Sequence, residues 1–217
     1  METFSPMSEA DDEMAETATA EVIAAIRAGQ PVILPTDTVY GLCADAYREE
    51  PVRRLAGLKG RSESVPIALL AADLDTILDA VPELRGRAAV MCRKLLPGPY
   101  TLVVPNPASR FRWLTGSNPQ GIGIRVPDLP AEARAVVERV GCVAATSANL
   151  HGGPEPARVE DIPDELVGAA AAIVDAGPLP GTASTVVDLT GLQPQILREG
   201  AVATDEALAT IARAASE

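Results

Sequence analysis

The sequence has few of the residues that build metal centres and disulfide frameworks. Its 217 residues include one histidine, and its three cysteines lie far apart with no C-x-x-C pair. A lone His151 excludes a histidine cluster, and an odd, scattered set of cysteines argues against a disulfide framework or a zinc site. We therefore expect no protein-bound metal, and the cysteine usage indicates the reducing cytoplasm. The cysteines are Cys43, Cys92 and Cys142.

Targeting segments, membrane spans and the familiar nucleotide motifs are also missing. The N-terminus has no basic segment followed by an apolar one, and the longest apolar run, around 169–174, is far too short to cross a bilayer. The sequence contains no G-x-x-x-x-G-K-[ST], no G-x-G-x-x-G and no G-x-S-x-G. We expect no membrane association, and any nucleotide site must use another geometry.

Basic and aromatic residues are scarce as well. Aromatic residues make up 3% of the chain, and 18 lysines and arginines face 30 acidic residues for a net charge of −12. Half of that net charge lies in residues 1–16, which hold six acids and no base. We expect an acidic, flexible leader over 1–16 and one domain over 17–217. An acidic chain with few aromatics disfavours nonspecific contact with nucleic acid, so we expect direct RNA binding to be weak.

Apolar residues, which form 47% of the chain, alternate between strand-like runs and helical stripes. Strands are predicted at 31–35, 65–71, 100–104, 122–126, 142–145, 171–174, 184–189 and 195–198. Helices are predicted at 17–28, 51–60, 131–140, 159–170 and 205–214, and between 73 and 95. Interleaved strands and helices predict one α/β or α+β domain with helices flanking a mixed sheet.

Polar side chains recur where the apolar runs begin or end. PTDTVYGL (35–42) follows one run, TSAN (146–149) follows another, and Ser184 opens a third. Arg125 and Arg198 end GIGIR and QILR. Turn chemistry or structural ion pairs would also explain these residues. Strand ends that face one cleft are, however, where open α/β sheets place their sites.

A second cationic feature closes the helix predicted at 51–60. Lys59 and Arg61 flank Gly60, and a compact ammonium beside a guanidinium fork is a good receptor for phosphate. Favourable charge at a helix C-terminus is the simpler explanation. Hydroxyls, an amide and four cations together predict a cleft for a phosphorylated anion and disfavour catalysis by paired carboxylates.

Seven motifs in order resemble the threonylcarbamoyl-AMP synthase family of YrdC-like proteins, in its short single-domain form. They are PTDTVYGL, the K-x-R of Lys59 and Arg61, LPGPYTLVVP, IRVPDLP, SAN, STVVDLTG and ILREGAV, and they span about residues 30–202. Seven motifs in the same order make the resemblance highly specific. It implies a twisted mixed α/β sheet with an open groove.

The resemblance also implies an activity. Such enzymes are nucleotidyltransferases that join L-threonine, bicarbonate and ATP, release pyrophosphate and form threonylcarbamoyl-AMP. A separate tRNA-modifying transferase complex then moves the threonylcarbamoyl group to the adenosine beside the anticodon. Mg²⁺ would enter with the ATP without a protein cage, and no prosthetic group is expected.

By motif position, the resemblance assigns roles to nine residues. The positions that correspond to threonine binding are Thr36, Thr38, Arg125, Ser147 and Ser184. The positions that correspond to ATP binding are Lys59, Arg61, Asn149 and Arg198. Lys59 and Arg61 are the expected catalytic residues. Within PTDTVYGL, Asp37 is expected to cap the turn, and Tyr40 and Gly41 to shape the loop.

Some positions depart from the family pattern, and two other functions stay open. The residues that differ from the family's usual ones, and that bear on affinity for the substrates, are Ser62, Leu70, Ala157 and Ala183. One alternative is an enzyme that forms a carbamoyl-adenylate. The other is an RNA-binding or ribosome-associated factor without catalysis.

Overall fold

The structure, a computed structural model, describes residues 9–216. The part of the predicted leader before residue 9 lies outside the described residues. The first helix, α1 (Glu9–Arg27), begins well before the predicted start at 17. The sequence of this helix is rich in alanine, which favours a helix through propensity.

One mixed sheet of nine strands runs through the part of the chain that the structure describes, which confirms the predicted fold class. The strands are β1 (Val32–Leu34), β2 (Gly41–Asp45), β3 (Ala68–Leu70), β4 (Tyr100–Pro105), β5 (Gly121–Arg125), β6 (Val143–Ser147), β7 (Ala172–Ile173), β8 (Thr185–Asp188) and β9 (Gln195–Arg198). They lie in the order β7-β1-β2-β6-β3-β5-β4-β8-β9. Three neighbouring pairs are parallel, namely β1–β7, β3–β5 and β4–β8, and the others are antiparallel.

Apart from the early start of α1, the helices follow the predicted positions with one clear exception. After α1 come α2 (Glu49–Leu58), α3 (Leu74–Ala80), α4 (Gly86–Leu95), α5 (Ala131–Val140), α6 (Asp164–Ala169) and α7 (Thr204–Ser216). The prediction of one helix over 159–170 is wrong, because the chain forms a 3-10 turn at Val159–Asp161 and restarts at Asp164. Pro163 explains the break, since it keeps Ile162 extended and offers no backbone N–H. No described helix is long and apolar enough to span a membrane.

Alternating side chains along the strands build two apolar layers, one on each face of the sheet. Leu42 and Leu69 face a cluster that includes residues of α2, α3, α4, α6 and α7. Their neighbours Cys43 and Leu70 face a second cluster, packed against α1 and α5. The sheet is therefore buried between helices on both faces where these clusters lie, because successive side chains along each strand point to opposite faces and both sets are apolar there.

The α1/α5 face stays open over β5, β4 and β8. The residues that point to this face there are small or polar, such as Gly121, Gly123 and Thr101, while Ile122 and Ile124 point to the opposite cluster. Glycines leave the sheet surface bare, and a Cβ on Gly121 would meet the Val103 side chain at 3.2 Å. This open face forms the floor of a groove.

The loop between β1 and β2 carries PTDTVYGL and is anchored by Tyr40. The Tyr40 hydroxyl lies 2.8 Å from both Asp175 Oδ1 and the Gly177 carbonyl, and it accepts the Ala176 N–H at 3.0 Å. Its ring is fully buried. The tyrosine thus ties this loop to the segment after β7, in line with its predicted role in shaping the loop.

We expect Tyr40→Phe to lower the free energy of unfolding by about 1–3 kcal/mol, because the exchange leaves partly buried groups of residues 175–177 without their partner. Urea denaturation measures the change. An unchanged midpoint would contradict the anchoring role. Tyr47→Phe, which alters a half-exposed tyrosine, is the control and should cost less.

Candidate active site

One cavity of about 530 Å³ lies on the open face of the sheet. It collects side chains from the β1–β2 loop, the end of α2 and strands β4, β5, β6, β8 and β9. Eight of the nine predicted site residues line it, and these are Thr36, Lys59, Arg61, Arg125, Ser147, Asn149, Ser184 and Arg198. Residues up to 162 positions apart in the sequence therefore meet at one place. Those at strand ends do so as the strand-end pattern predicts, and Lys59 and Arg61 join them from the end of α2.

Lys59 is held at the end of α2 by the loop that follows β6. Its Nζ donates to the Ser147 carbonyl and, at 2.9 Å, to Asn149 Oδ1. The same Asn149 oxygen accepts the Ser147 hydroxyl at 2.7 Å, and the amide nitrogen donates to the Gly153 carbonyl at 2.7 Å. These bonds fix the ammonium and the amide in the cavity wall.

The positive charges in this cavity are poorly compensated. Lys59 is only 4% exposed, and burial together with the nearby Arg61 lowers its pKa to about 8. Burial and the repulsion of Arg198 also lower the pKa of Arg61. Within the described chain, none of these three cations forms a salt bridge. Three cations that raise each other's free energy form a receptor that an anion would stabilise.

Arg125 differs from those three because it has a counter-ion. Its Nη2 lies 2.5 Å from Asp37 Oδ1 and 2.5 Å from Thr38 Oγ1, and it reaches Thr36 Oγ1 at 3.4 Å. The guanidinium and the carboxylate are about nine-tenths buried. A buried guanidinium requires such a partner.

This geometry changes two expectations for PTDTVYGL. The turn is capped by Thr36, whose Oγ1 accepts the N–H groups of Thr38 and Val39 at 3.2 Å. The expected cap by Asp37 is therefore wrong, since that carboxylate pairs with Arg125. Thr38 is fully buried and lies behind the cavity wall. Its contact with substrate stays a prediction, and the residue reaches the cavity through Arg125.

Ser184 and Arg198 form the far side of the cavity. Arg198 Nη2 donates to the Ser184 carbonyl at 2.8 Å, and the Ser184 hydroxyl lies 2.8 Å from Thr101 Oγ1. The serine is 4% exposed. Its neighbour Ala183, one of the departures from the family pattern, also lines the cavity, whereas Leu70 is buried on the α1/α5 face.

Three buried side-chain atoms of the described residues have no hydrogen-bond partner, and all three belong to this cavity. They are Arg61 Nε, Arg125 Nε and Glu155 Oε2. Buried polar groups are almost always paired, so these atoms mark places where a ligand would complete the bonding. Glu155 was missed by sequence reasoning, which had no signal for it. Thr146, which accepts from Arg61 Nη1 at 3.2 Å, lies in the TSAN segment but was given no role.

Known proteins resemble the chain in sequence and in structure. A Mycobacterium tuberculosis protein named a putative threonylcarbamoyl-AMP synthase is 37% identical over 197 residues, covering 90% of each chain. A Bacillus subtilis threonylcarbamoyl-AMP synthase is 32% identical, covering 88% of this chain and 56% of that protein. Pyrococcus abyssi Sua5, solved in complex with L-threonine, superposes with a TM-score of 0.82 and 31% identity. That match covers 91% of this chain and 58% of the Pyrococcus chain, so the present chain spans little more than half of these two longer relatives.

A model of the Sua5, YciO and YrdC proteins, described as telomere recombination, matches residues 24–200. The matched range begins in α1 and ends just after β9, so it includes each of the nine strands and each residue placed in the cavity. The polar strand ends, the cation cluster and the open sheet face all lie within it. On this agreement of sequence, sheet and cavity, the chain belongs to the Sua5/YciO/YrdC family.

Proposed function

We propose that the chain is a threonylcarbamoyl-AMP synthase. It joins L-threonine, bicarbonate and ATP, releases pyrophosphate, and supplies threonylcarbamoyl-AMP to a separate transferase complex that modifies the tRNA adenosine beside the anticodon. Relatives of that name and a threonine-bound structural neighbour support this function. The observation that carries it is one cavity that holds three cations without salt bridges together with hydroxyls and an arginine that is already paired.

The threonine side is the hydroxyl-rich part of the cavity. Thr36, Ser147 and Ser184 present hydroxyls, and Arg125 keeps a buried Nε without a partner. A free guanidinium N–H suits the amino acid's carboxylate, while the hydroxyls can pair with its own hydroxyl. A site that bonds the substrate hydroxyl rejects analogues that lack it.

The ATP side is the cation cluster. Lys59, Arg61 and Arg198 all line the cavity. Burial and the charge of Arg61 lower the pKa of Lys59, and burial and the charge of Arg198 lower the pKa of Arg61. A polyphosphate would relieve that repulsion. Asn149, whose amide is held by Lys59 and Gly153, presents a fixed polar edge to the nucleotide.

The chemistry requires charge neutralisation and placement. Threonine's amine and bicarbonate give a carbamate and water, and a carbamate oxygen then attacks the α-phosphorus of ATP while pyrophosphate leaves. Both reactants are anions, so the attack is opposed unless the protein offsets their charge and aligns them. Lys59, Arg61 and Arg198 would do this without a covalent nucleophile. Mg²⁺ bound with ATP would add neutralising charge on the phosphates.

A pyrophosphate assay tests the proposal. Purified protein receives ATP, Mg²⁺, bicarbonate and L-threonine, and release is expected only when all are present. Pyrophosphate release that does not depend on threonine or on bicarbonate would overturn the proposal. Dependence on carbamoyl phosphate in their place would identify an enzyme that forms a carbamoyl-adenylate. Tight RNA binding without any ATP chemistry would indicate a non-catalytic RNA-binding factor.

The lowered pKa of Lys59 predicts how ATP binding depends on pH. With a pKa of about 8 in the free protein, Lys59 is mostly charged at pH 7 and mostly neutral at pH 9. ATP affinity should therefore fall by up to about tenfold between these values, because a neutral amine no longer attracts phosphate. Isothermal titration at each pH measures this. Lys59→Arg keeps its charge throughout and should show little change. An equal dependence in both proteins would contradict the assignment.

A further inference from the structure

Glu155 is an unexplained carboxylate in the wall of the active-site cavity. The cavity is otherwise rich in cations and hydroxyls, and the Oε2 atom of Glu155 is buried without a hydrogen-bond partner within the described residues. The other acidic residue that lines the cavity, Asp188, differs: its Oδ1 accepts from the backbone and hydroxyl of Thr190, and neither of its oxygens is buried without a partner. An unpaired buried carboxylate oxygen costs free energy unless a ligand completes its bonding.

The backbone around Glu155 is fixed on both sides. The Tyr40 N–H donates to the Pro156 carbonyl at 3.1 Å, and Asn149 Nδ2 donates to the Gly153 carbonyl at 2.7 Å. The same segment therefore bonds to the PTDTVYGL loop and to the Asn149 side chain that holds Lys59. The unpaired oxygen belongs to a positioned part of the wall.

The charge of Glu155 acts on Lys59, one member of the cation cluster. It raises the pKa of Lys59 against the larger lowering effects of burial and Arg61, so the carboxylate lies close to the groups that would hold phosphates. A bare carboxylate beside a triphosphate would repel it. A divalent cation between them removes that repulsion, and Mg²⁺ in proteins is commonly held by one or two carboxylates together with substrate phosphates.

We propose that Glu155 is a protein ligand for the divalent cation that enters with the nucleotide triphosphate. This inference rests on the proposed ATP-binding function. The described residues contain no group of three histidines, cysteines or acids able to hold a metal, so the cation needs phosphate oxygens to complete its shell. Glu155 would thus make the site prefer metal-bound ATP over free ATP.

Titration calorimetry of ATP with and without Mg²⁺ tests the inference. The wild-type protein is expected to bind ATP about tenfold more tightly with Mg²⁺, and Glu155→Gln should reduce that preference to about twofold or less. Part of the loss should come from tighter binding of metal-free ATP, because the repelling charge is gone. Mn²⁺ in place of Mg²⁺ adds a direct readout. The electron paramagnetic resonance spectrum of Mn²⁺ in the complex with ATP should differ between the wild type and Glu155→Gln.

Glu160→Gln is the matched control. This exposed glutamate lies in the 3-10 turn at Val159–Asp161, outside the cavity, and its exchange removes the same charge. It should keep the wild-type metal preference. The inference would be overturned if Glu155→Gln kept the wild-type preference for metal-bound ATP, or if Glu155→Gln weakened the binding of L-threonine instead. The proposed function would still stand in either case if the wild type released pyrophosphate in a threonine-dependent way. Failure of the wild type to bind ATP in any form would overturn both.

Discussion

Arg61→Ala is expected to release pyrophosphate at about one-thousandth of the wild-type rate while its fold stays intact. The guanidinium lines the cavity, bonds only to Thr146 within the described chain, and leaves its buried Nε without a partner. Its main effect in the unliganded protein is repulsion, since it lowers the pKa of Lys59. Removing it takes charge away from the transition state but deprives no buried ion of a counter-ion.

The measurement combines initial rates with thermal unfolding. The melting temperature of Arg61→Ala should equal or exceed that of the wild type, because repulsion within the cation cluster is relieved. Lys59→Ala should also lose its turnover. It is the less specific test, because it removes the donor to Ser147 and Asn149 and so also changes the structure of the cavity wall. Arg53→Ala, which breaks a surface pair with Glu49 on α2, is the control and should retain its rate. A rate for Arg61→Ala within tenfold of the wild-type rate would show that Arg61 does not stabilise the transition state.

Most of the fold was predictable because its signals are local. Eight of the nine strands lie in segments where short apolar runs predict them. The missed strand, β2, explains the limit of that signal. Its sequence GLCAD begins with glycine and ends with aspartate, and its central residues are buried on both faces, Leu42 in one cluster and Cys43 in the other. A strand buried on both faces has no polar–apolar alternation, and this one is too short to stand out as an apolar run.

The residues that line the cavity were predictable from the ends of strands and of one helix, but their pairing was not. Lys59, Asn149 and Ser184 each follow a pattern that is visible in the sequence, and the structure brings them together in the cavity. The role of Asp37 depends on Arg125, which lies 88 residues away in the sequence, and turn chemistry was the only local explanation. Glu155 had no local signal at all, because its significance comes from an empty bonding position in the folded cavity.

Asp37→Ala should be the most destabilising exchange in PTDTVYGL, lowering the free energy of unfolding by about 3–5 kcal/mol. Asp37 and Arg125 have side chains that are 12% and 10% exposed, and their closest atoms lie 2.5 Å apart. Burial already lowers the pKa of Arg125, while Asp37 is the largest influence that raises it. Without the carboxylate, a guanidinium charge would stay buried with only threonine hydroxyls beside it. Urea denaturation of the unliganded protein measures the loss.

Two comparisons separate the ion pair from general damage to the loop. Asp128→Ala breaks a surface pair with Arg134, whose atoms lie 3.4 Å apart and whose carboxylate is 83% exposed, so it should cost about 1 kcal/mol or less. Arg125→Met in the Asp37→Ala background removes the uncompensated charge and should recover much of the stability, because a buried ion pair replaced by apolar groups is often neutral. Recovery would show that the buried charge itself caused the loss. If Asp37→Ala costs no more than Asp128→Ala, the pair does not hold the loop, and the position of Thr38 behind Arg125 must have another cause.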